Sequence, residues 1–291
     1  MKLSDLQPII HFDLRRDGFF QSLGLLSHNT SQILVMFYNS NFLGELVNNP
    51  HIACVITEPD LVDQLPDHLG VAVCSDALAT FYQIHDYLLS QTDFYGEPFD
   101  SEISPDALIH HTAYVSPHNV RIAKGVRIGP CAVILDHTTI CESVVIGPNV
   151  VIGGEGFEPK FVNGQHIIVR HAGGVFLHNG VEIQANSHVA KAVFNSNTEI
   201  GSDTKIDALV HIAHNVCIGS RCEIAASAMV AGSTNIGNDV WIGPCAVLSS
   251  EISVGDHAFV AIGAVVLKDV PAGERVAGIP AKPLRSHSSS K

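Results

Sequence analysis

The stretch KIDALVHIAHNVCIGSRCEIAASAMVAGSTNIG (205–237) decides the fold, because an aliphatic residue returns in it at a fixed interval. Starting from Ile200 and stepping by six gives Ile206, Ile212, Ile218, Ile224, Val230, Ile236, Ile242, Leu248, Val254, Val260 and Val266. An earlier run, Ile122, Ile128, Ile134, Ile140, Ile146 and Ile152, keeps the same step, and Leu177, Ile183 and Val189 resume it after a gap. A period of six fits neither a helical face nor a simple alternating strand. It fits a hexapeptide solenoid, in which three hexads close one triangular coil of 18 residues and the aliphatic side chains point inward. Twenty-one such hexads make about seven coils. Gly follows the aliphatic residue at 129, 147, 153, 201, 219, 237, 243 and 255, and is expected to ease the tight corner. The expected class is mainly β, a left-handed parallel β-helix carrying a small N-terminal α/β domain.

Outside the repeat the chain changes character. The runs ILVMFY, HIACVIT and GVAVCS read as short strands in residues 1–100, with helical segments NFLGELVNN, DLVDQL and DALATFYQIHDYLLSQ between and after them. The β-helix then covers 101–270 and a tail covers 271–291. A step of seven separates Val115 from Ile122, and 153–174 (GGEGFEPKFVNGQHIIVRHAGG) leaves the repeat altogether. A loop of that length in a solenoid is usually functional, and Asn163-Gly164 predicts a hairpin at its tip.

Composition removes several function classes. A net charge of −13 with no basic stripe argues against nucleic acid as partner. The longest apolar run, AFVAIGAVVL (258–267), is half of the roughly 20 residues a membrane span requires. The opening MKLSDLQPII lacks the apolar core of a secretory signal, so a cytoplasmic protein is expected. The seven cysteines form no C-x-x-C pair and read as small buried hydrophobes of a reducing compartment.

Chemistry enters through two polar intrusions. His214 follows the inward Ile212 by two residues, which places it at a coil corner, and Gly232 lies 18 residues on, one coil above it. A base with a bare backbone N–H one rung away suits acyl transfer: the imidazole removes a proton from an attacking amine or hydroxyl, and the N–H stabilises the oxyanion. No G-x-S-x-G nucleophile is present, so direct transfer is expected over a covalent enzyme intermediate. His51, His110, His118 and His257 read as surface or packing residues. A three-histidine zinc site from His188, His211 and His214 is the metal-based alternative. His188 falls outside the 18-residue register of the other two, so no metal is expected. A scaffold or sugar-nucleotide sensor is the non-catalytic alternative, for which replacing His214 would be without effect.

The hexads with KIDALVHIAHNVCIG and AGSTNIG, and the loop Gly154-Glu155-Gly156-Phe157, resemble the UDP-3-O-acylglucosamine N-acyltransferase family of lipid A synthesis. The resemblance runs from about residue 20 to residue 285. It implies a homotrimer of parallel β-helices with active sites between neighbouring subunits, His214 as general base and Gly232 as oxyanion donor. It also implies a nucleotide site in the N-terminal domain, with Asn39 and Phe42 holding the base and Tyr38 or Phe37 replacing an aromatic residue that here is Met36. On the substrate side it adds Gly156, Phe157, Lys191, Asn215 and Glu251. Lys191 falls beside Ala190 where the family has an Asp-Arg pair, and Glu251 falls where it has a second histidine. The C-terminal helices of the lipid A enzyme, which engage acyl carrier protein, have no counterpart here. The tail and the rung NDVWIGPCAVL resemble hexapeptide transferases that use acyl-CoA, with Gly232, Ser250, Lys268, Lys282 and Arg285 as donor-side residues. The expected function is N-acylation of a nucleotide-linked amino sugar by a short acyl group from acyl-CoA, for O-antigen or other lipopolysaccharide synthesis. The alternatives are the lipid A enzyme with an acyl carrier protein thioester, or a sugar O-acetyltransferase.

Overall fold

The computed structural model describes residues 1–283, which divide into two compact units, Met1–Glu97 with Phe157–Ala172, and Pro98–Gly156 with the chain from Gly173 onward. Segment 157–172 therefore belongs with the N-terminal unit, not with the coils it interrupts.

In the N-terminal unit five strands form one sheet: β1 (Asp13–Arg16), β2 (Ser22–Leu23), β3 (Ile33–Phe37), β4 (Ile52–Thr57) and β5 (Gly70–Val73), in the order β1-β5-β4-β3-β2. All neighbours are parallel except β1, which runs antiparallel to β5. Strands β3 and β5 are buried at every residue, which is why their sequences ILVMF and GVAV are unbroken apolar runs without alternation. Helix α1 (Leu43–Asn48) follows β3, whereas the DLVDQL segment forms a 3₁₀ helix, Pro59–Gln64, instead of an α-helix. Helix α2 (Ala77–Gln91) starts at Asp76, whose carboxylate accepts from the Ala79 N–H at 2.8 Å, and it buries Phe81, Ile84 and Leu88. The expected hairpin pairs Pro159–Val162 with Gln165–Ile168 around Asn163 and Gly164, both in the left-handed region. It is anchored within this unit by His85, whose Nε2–H donates to the Arg170 carbonyl at 2.7 Å while Nδ1 accepts from Tyr95.

The second unit is the β-helix. Three parallel sheets hold eight, eight and ten strands, and the last two strands of the ten-stranded face (Arg275–Ala277 and Lys282–Pro283) pair antiparallel. On one face the inward residues are Ile134, Ile152, Val189, Ile212, Val230, Leu248 and Val266, at steps of 18, 37, 23, 18, 18 and 18. The step of 37 is the 153–174 excursion. The step of 23 reveals five further residues, inserted between the strands His188–Ala190 and Asn197–Ile200. Absorbing this insertion at a corner brings His188 into pairing with His211, which corrects the register read from the repeat alone.

The corners also differ from expectation. The left-handed residue is glycine in a few turns, such as Gly125, Gly180 and Gly263, but elsewhere it is a residue such as Asp203, Asn215, Arg221, Ser233, Asp239, Glu251 or His257. The glycines after the aliphatic residues serve close stacking: a Cβ on Gly201 would lie 2.5 Å from the carbonyl carbon of Gly219. All seven cysteines are unbridged, but only Cys54 and Cys222 are buried, and Cys131, Cys217 and Cys245 face outward. Burial pushes the Cys54 thiol up to about 12, as expected of an inert core thiol.

Candidate active site

One corner of the β-helix, where the chain turns off the face containing His211–Ile212, collects most of the polar residues singled out from sequence. Coil by coil it presents Asp136, Glu155, Lys191, His214, Gly232, Ser250 and Lys268, each just beyond a strand of that face. Both interruptions of the repeat, 153–174 and the five-residue insertion, leave the coil at this same corner.

Gly232 lies directly against His214. A Cβ built on it would meet Cε1 at 2.6 Å, Nε2 at 2.7 Å and Nδ1 at 3.1 Å, so only glycine leaves room for the ring. The backbone around Gly232 is otherwise spoken for: Ser233 donates to the His214 carbonyl at 2.9 Å and Glu251 donates to the Gly232 carbonyl at 3.0 Å. At another corner the N–H groups at the same place in the hexad, Ser220 and Asn238, bond side chains one coil on, at 2.9 and 2.7 Å. At Gly232 the coil above offers Ser250 and Glu251, and among the described residues the Gly232 N–H has no acceptor. That N–H sits beside an imidazole, which is the pairing acyl transfer requires.

Asn215, expected from sequence as a substrate contact, is held by bonds within the protein. Its Oδ1 accepts from the Val193 N–H at 3.0 Å and lies 3.2 Å from Nδ1 of His214. Its Nδ2 donates to Ser196 at 2.9 Å, and its own N–H donates to Thr198 at 2.9 Å. The amide therefore ties the five-residue insertion to the corner. An amide oxygen only accepts, so it favours the His214 tautomer with the proton on Nδ1 and the lone pair on Nε2.

Lys191 is buried to 7%, and its ammonium lies 3.4 Å from Asp136 and 3.5 Å from Glu155. Asp136 also accepts from His137 at 3.0 Å, and that bond, with Lys191 behind it, lowers its carboxyl to about 2. Sequence reasoning found Lys191 but not Asp136 or His137. They lie three coils before His214, and only the stacking of coils brings them to Lys191. Glu251 and Ser250 are exposed at the next turn, and Lys268 one turn further. Lys282 lies on another face, in the strand paired with Arg275–Ala277, so it does not join this column. Arg285 lies outside the described residues.

His188 and His211 stack with ring centroids 5.2 Å apart and planes 4° from parallel. Although they share a register, among the described residues no group of three His, Cys, Asp or Glu side chains is arranged to hold a metal ion. Parallel stacked rings do not converge two nitrogens on one point.

In the N-terminal unit, Asn39 caps the short 3₁₀ helix Ser40–Phe42: its Oδ1 accepts from Asn41 at 3.0 Å. Tyr38 and Phe42 are 50% and 41% exposed, so Phe42 is not helix core. Phe37 is 1% exposed and is wall, which leaves Tyr38 as the aromatic available at that position. Gly156 closes the β-helix side of the loop, and Phe157, the first residue beyond it, is 79% exposed. Cavities of about 650 and 300 Å³ lie elsewhere, the first between α2 and the hairpin, the second beneath Trp241. Among the described residues no helix is long and apolar enough to cross a membrane.

Comparison with known proteins agrees with this architecture. Residues 119–154 and 197–232 match the bacterial transferase hexapeptide (six repeats) family. UDP-3-O-acylglucosamine N-acyltransferase 2 of Legionella pneumophila (strain Paris) is 33% identical over 225 residues, covering 67% of this chain and 63% of that protein. The protein of the same name from Nitrobacter winogradskyi is 51% identical over 154 residues, covering 53% of this chain and 45% of its own. The chain thus spans less than two thirds of the length of these relatives. Among solved structures, UDP-N-acetylglucosamine acyltransferase from Campylobacter jejuni superposes with a TM-score of 0.52 at 20% identity, over 63% of this chain and 74% of that one. Hexad repeats, three parallel faces and the likeness to the Campylobacter structure give the second unit a left-handed parallel β-helix, with two stretches of it similar to the hexapeptide-repeat family.

Proposed function

We propose that the chain is an N-acyltransferase that moves a short acyl group from acyl-CoA to the amine of a nucleotide-linked amino sugar, with His214 as general base. The observation that carries this is the Gly232 backbone packed against the His214 ring, which puts a base and an oxyanion donor side by side. The relatives named UDP-3-O-acylglucosamine N-acyltransferase support an amine as acceptor over a hydroxyl.

In this mechanism Nε2 of His214 takes a proton from the acceptor amine as its nitrogen attacks the thioester carbonyl. A C–N bond forms, and the carbonyl oxygen becomes an oxyanion that the Gly232 N–H stabilises. The intermediate collapses, the C–S bond breaks, and the leaving thiolate receives the proton held by His214. Asn215 keeps the proton of Nδ1 in place, so the proton is accepted and returned at Nε2 alone. The base is worth roughly 10²–10⁴ in rate and the oxyanion donor roughly 10²–10³.

Lys268 supports a phosphate-bearing donor, since it stands at the same corner three rungs beyond His214, roughly 14 Å along the axis. Ser250 lies between them. Asn39, Phe42 and Tyr38 would meet the nucleotide base by amide bonding and stacking, and a homotrimer would close the site between neighbouring subunits. Purified protein incubated with acetyl- or 3-hydroxybutanoyl-CoA, and separately with acyl carrier protein thioesters, tests the donor. Turnover with the carrier protein thioester alone refutes it in favour of the long-chain alternative. His214→Ala should cost at least about a hundredfold in kcat with little change in substrate binding, and full activity in that variant refutes the catalytic reading. Light scattering giving any mass other than three chains would remove the trimer.

A further inference from the structure

The hollow beneath Trp241 lies on a face of the β-helix that the acyl-transfer step does not use. In each coil the chain runs from this face to the face of His211 and only then through the His214 corner, so the hollow sits across the prism from the reacting pair. Trp241 is the chain's one tryptophan and is 36% exposed. One side of its ring is taken by Phe259, with centroids 6.3 Å apart and planes 10° from parallel, and the Arg275 guanidinium closes that stack 4.3 Å from the Phe259 ring. The stack fixes the indole in place, and its other side turns to the rung of Glu223, with which Trp241 is in register. Beside this column, the position after each inward residue holds Gln184 and Asp207 on earlier rungs and then drops to Ala225 and Gly243. That loss of bulk opens a hollow of about 300 Å³ lined by Gln184, Lys205, Asp207, Glu223, Ala225 and Trp241.

A flat apolar wall held in place by stacking, with donors and acceptors around it, suits a ring that is apolar on its faces and hydroxylated along its edge. The carboxylates of Asp207 and Glu223 accept from hydroxyls, and the Gln184 amide both donates and accepts. Lys205 lies among them, already bonded to Glu182 at 2.7 Å and to the Gly180 carbonyl at 2.9 Å. With Glu182 the lining carries three carboxylates against that one ammonium, so it repels phosphate and excludes nucleotides, nucleotide sugars and acyl-CoA as occupants. The volume is at the small end for ligand pockets and takes a single sugar ring. We propose that the hollow is a binding site for a neutral pyranose, stacked by its C–H face on Trp241 with its hydroxyls on Asp207, Glu223 and Gln184. It is a saccharide site separate from the corner at which the acyl group would move, and it stands whether or not His214 is the base.

The full chain reports on this site directly, because its tryptophan emission comes from Trp241 alone. Titration with N-acetylglucosamine should change that emission saturably, with a Kd on the order of 1 mM, as expected of a ligand of roughly 15 non-hydrogen atoms. Ala225→Leu, which fills the hollow and leaves the Trp241–Phe259 stack, should keep the wild-type Tm and lose the saturable change. Glu223→Gln, a change at an exposed position, should raise Kd about threefold to tenfold by removing a charged acceptor. No saturable change in the wild type, the same change in Ala225→Leu, or an unmoved Kd in Glu223→Gln overturns the site. A response to tetramethylammonium at lower concentration than to the sugar overturns the saccharide in favour of a cation on the indole face. Emission that acrylamide fails to quench shows another copy of the chain lying over the hollow, which also overturns it.

Discussion

Replacing Gly232 by alanine isolates the feature on which the proposed chemistry depends. The backbone at Gly232 is not in the left-handed region, so alanine meets no conformational penalty there. The new Cβ would stand 2.6 Å from Cε1 and 2.7 Å from Nε2 of His214, where ordinary contact begins near 3.4 Å. The imidazole must therefore move by close to an ångström, since the other side of the contact is backbone fixed by the Ser233 and Glu251 hydrogen bonds. A misplacement of about 1 Å at a reacting group costs on the order of a hundredfold in rate. Overpacking of this kind destabilises by about 1–3 kcal/mol, a few degrees in Tm for a chain of this size, so the variant should fold. Initial rates under saturating substrates should show kcat down about a hundredfold and KM nearly unchanged. Because alanine keeps its N–H, the loss should run entirely through His214, and adding Gly232→Ala to His214→Ala should cost nothing further. A single variant within threefold of wild type, or a double variant far below His214→Ala, refutes the steric coupling.

Asn215→Ala removes the group that fixes the Nδ1 proton of His214 and two bonds to the 191–196 segment. It should lower kcat about tenfold to a hundredfold and unfold at lower denaturant, whereas Ser196→Ala, which leaves Oδ1 in place, should change kcat little. Asp136 contributes to stability with a definite pH signature. Its folded carboxyl is lowered to about 2, below its unfolded value, so its contribution is complete above about pH 4 and is lost as pH falls through about 2. With 43% of the side chain exposed, screening leaves roughly 1 kcal/mol. The difference in unfolding free energy between wild type and Asp136→Asn should be of that size at pH 6 and vanish near pH 2. Phe42→Ala should raise KM for the nucleotide sugar about tenfold and leave kcat close to wild type; the opposite split would move this residue out of the base-holding role.

Inward aliphatic residues announced the β-helix because one residue type at one interval suffices to define a coil, and Ile212 or Ile224 needs no partner to be read. The His214–Gly232 pair was legible for the same reason, since exactly one coil with no insertion separates them. What sequence did not disclose is whatever crosses an irregular corner. The residues KAVFNS look like a mere lapse of the repeat, yet they shift everything before them by five places, and so His188 was placed out of register with His211. Lys191 was visible as a position but its burial between Asp136 and Glu155 was not, because those partners are 55 and 36 residues away. Nothing in a linear sequence shows that the Asn215 amide reaches Val193 and Ser196. The cysteines misled because a solenoid has as many outward as inward positions, and Cys131, Cys217 and Cys245 take outward ones.

The two longer departures from the six-residue period enter at one corner, and neither falls between the coil of His214 and that of Gly232. A solenoid of this kind accepts extra chain at its corners without disturbing any strand pairing, so length there is free to vary while the rungs are not. His214 and Gly232, the proposed base and oxyanion donor, sit on the regular part, a fixed rung apart. The extra segments leave from the corners. Exchange of 191–196 or of 157–172 for segments of other length is therefore a route to altered selectivity that leaves the reacting pair untouched. Insertion of even one residue between Ile212 and Val230 is not.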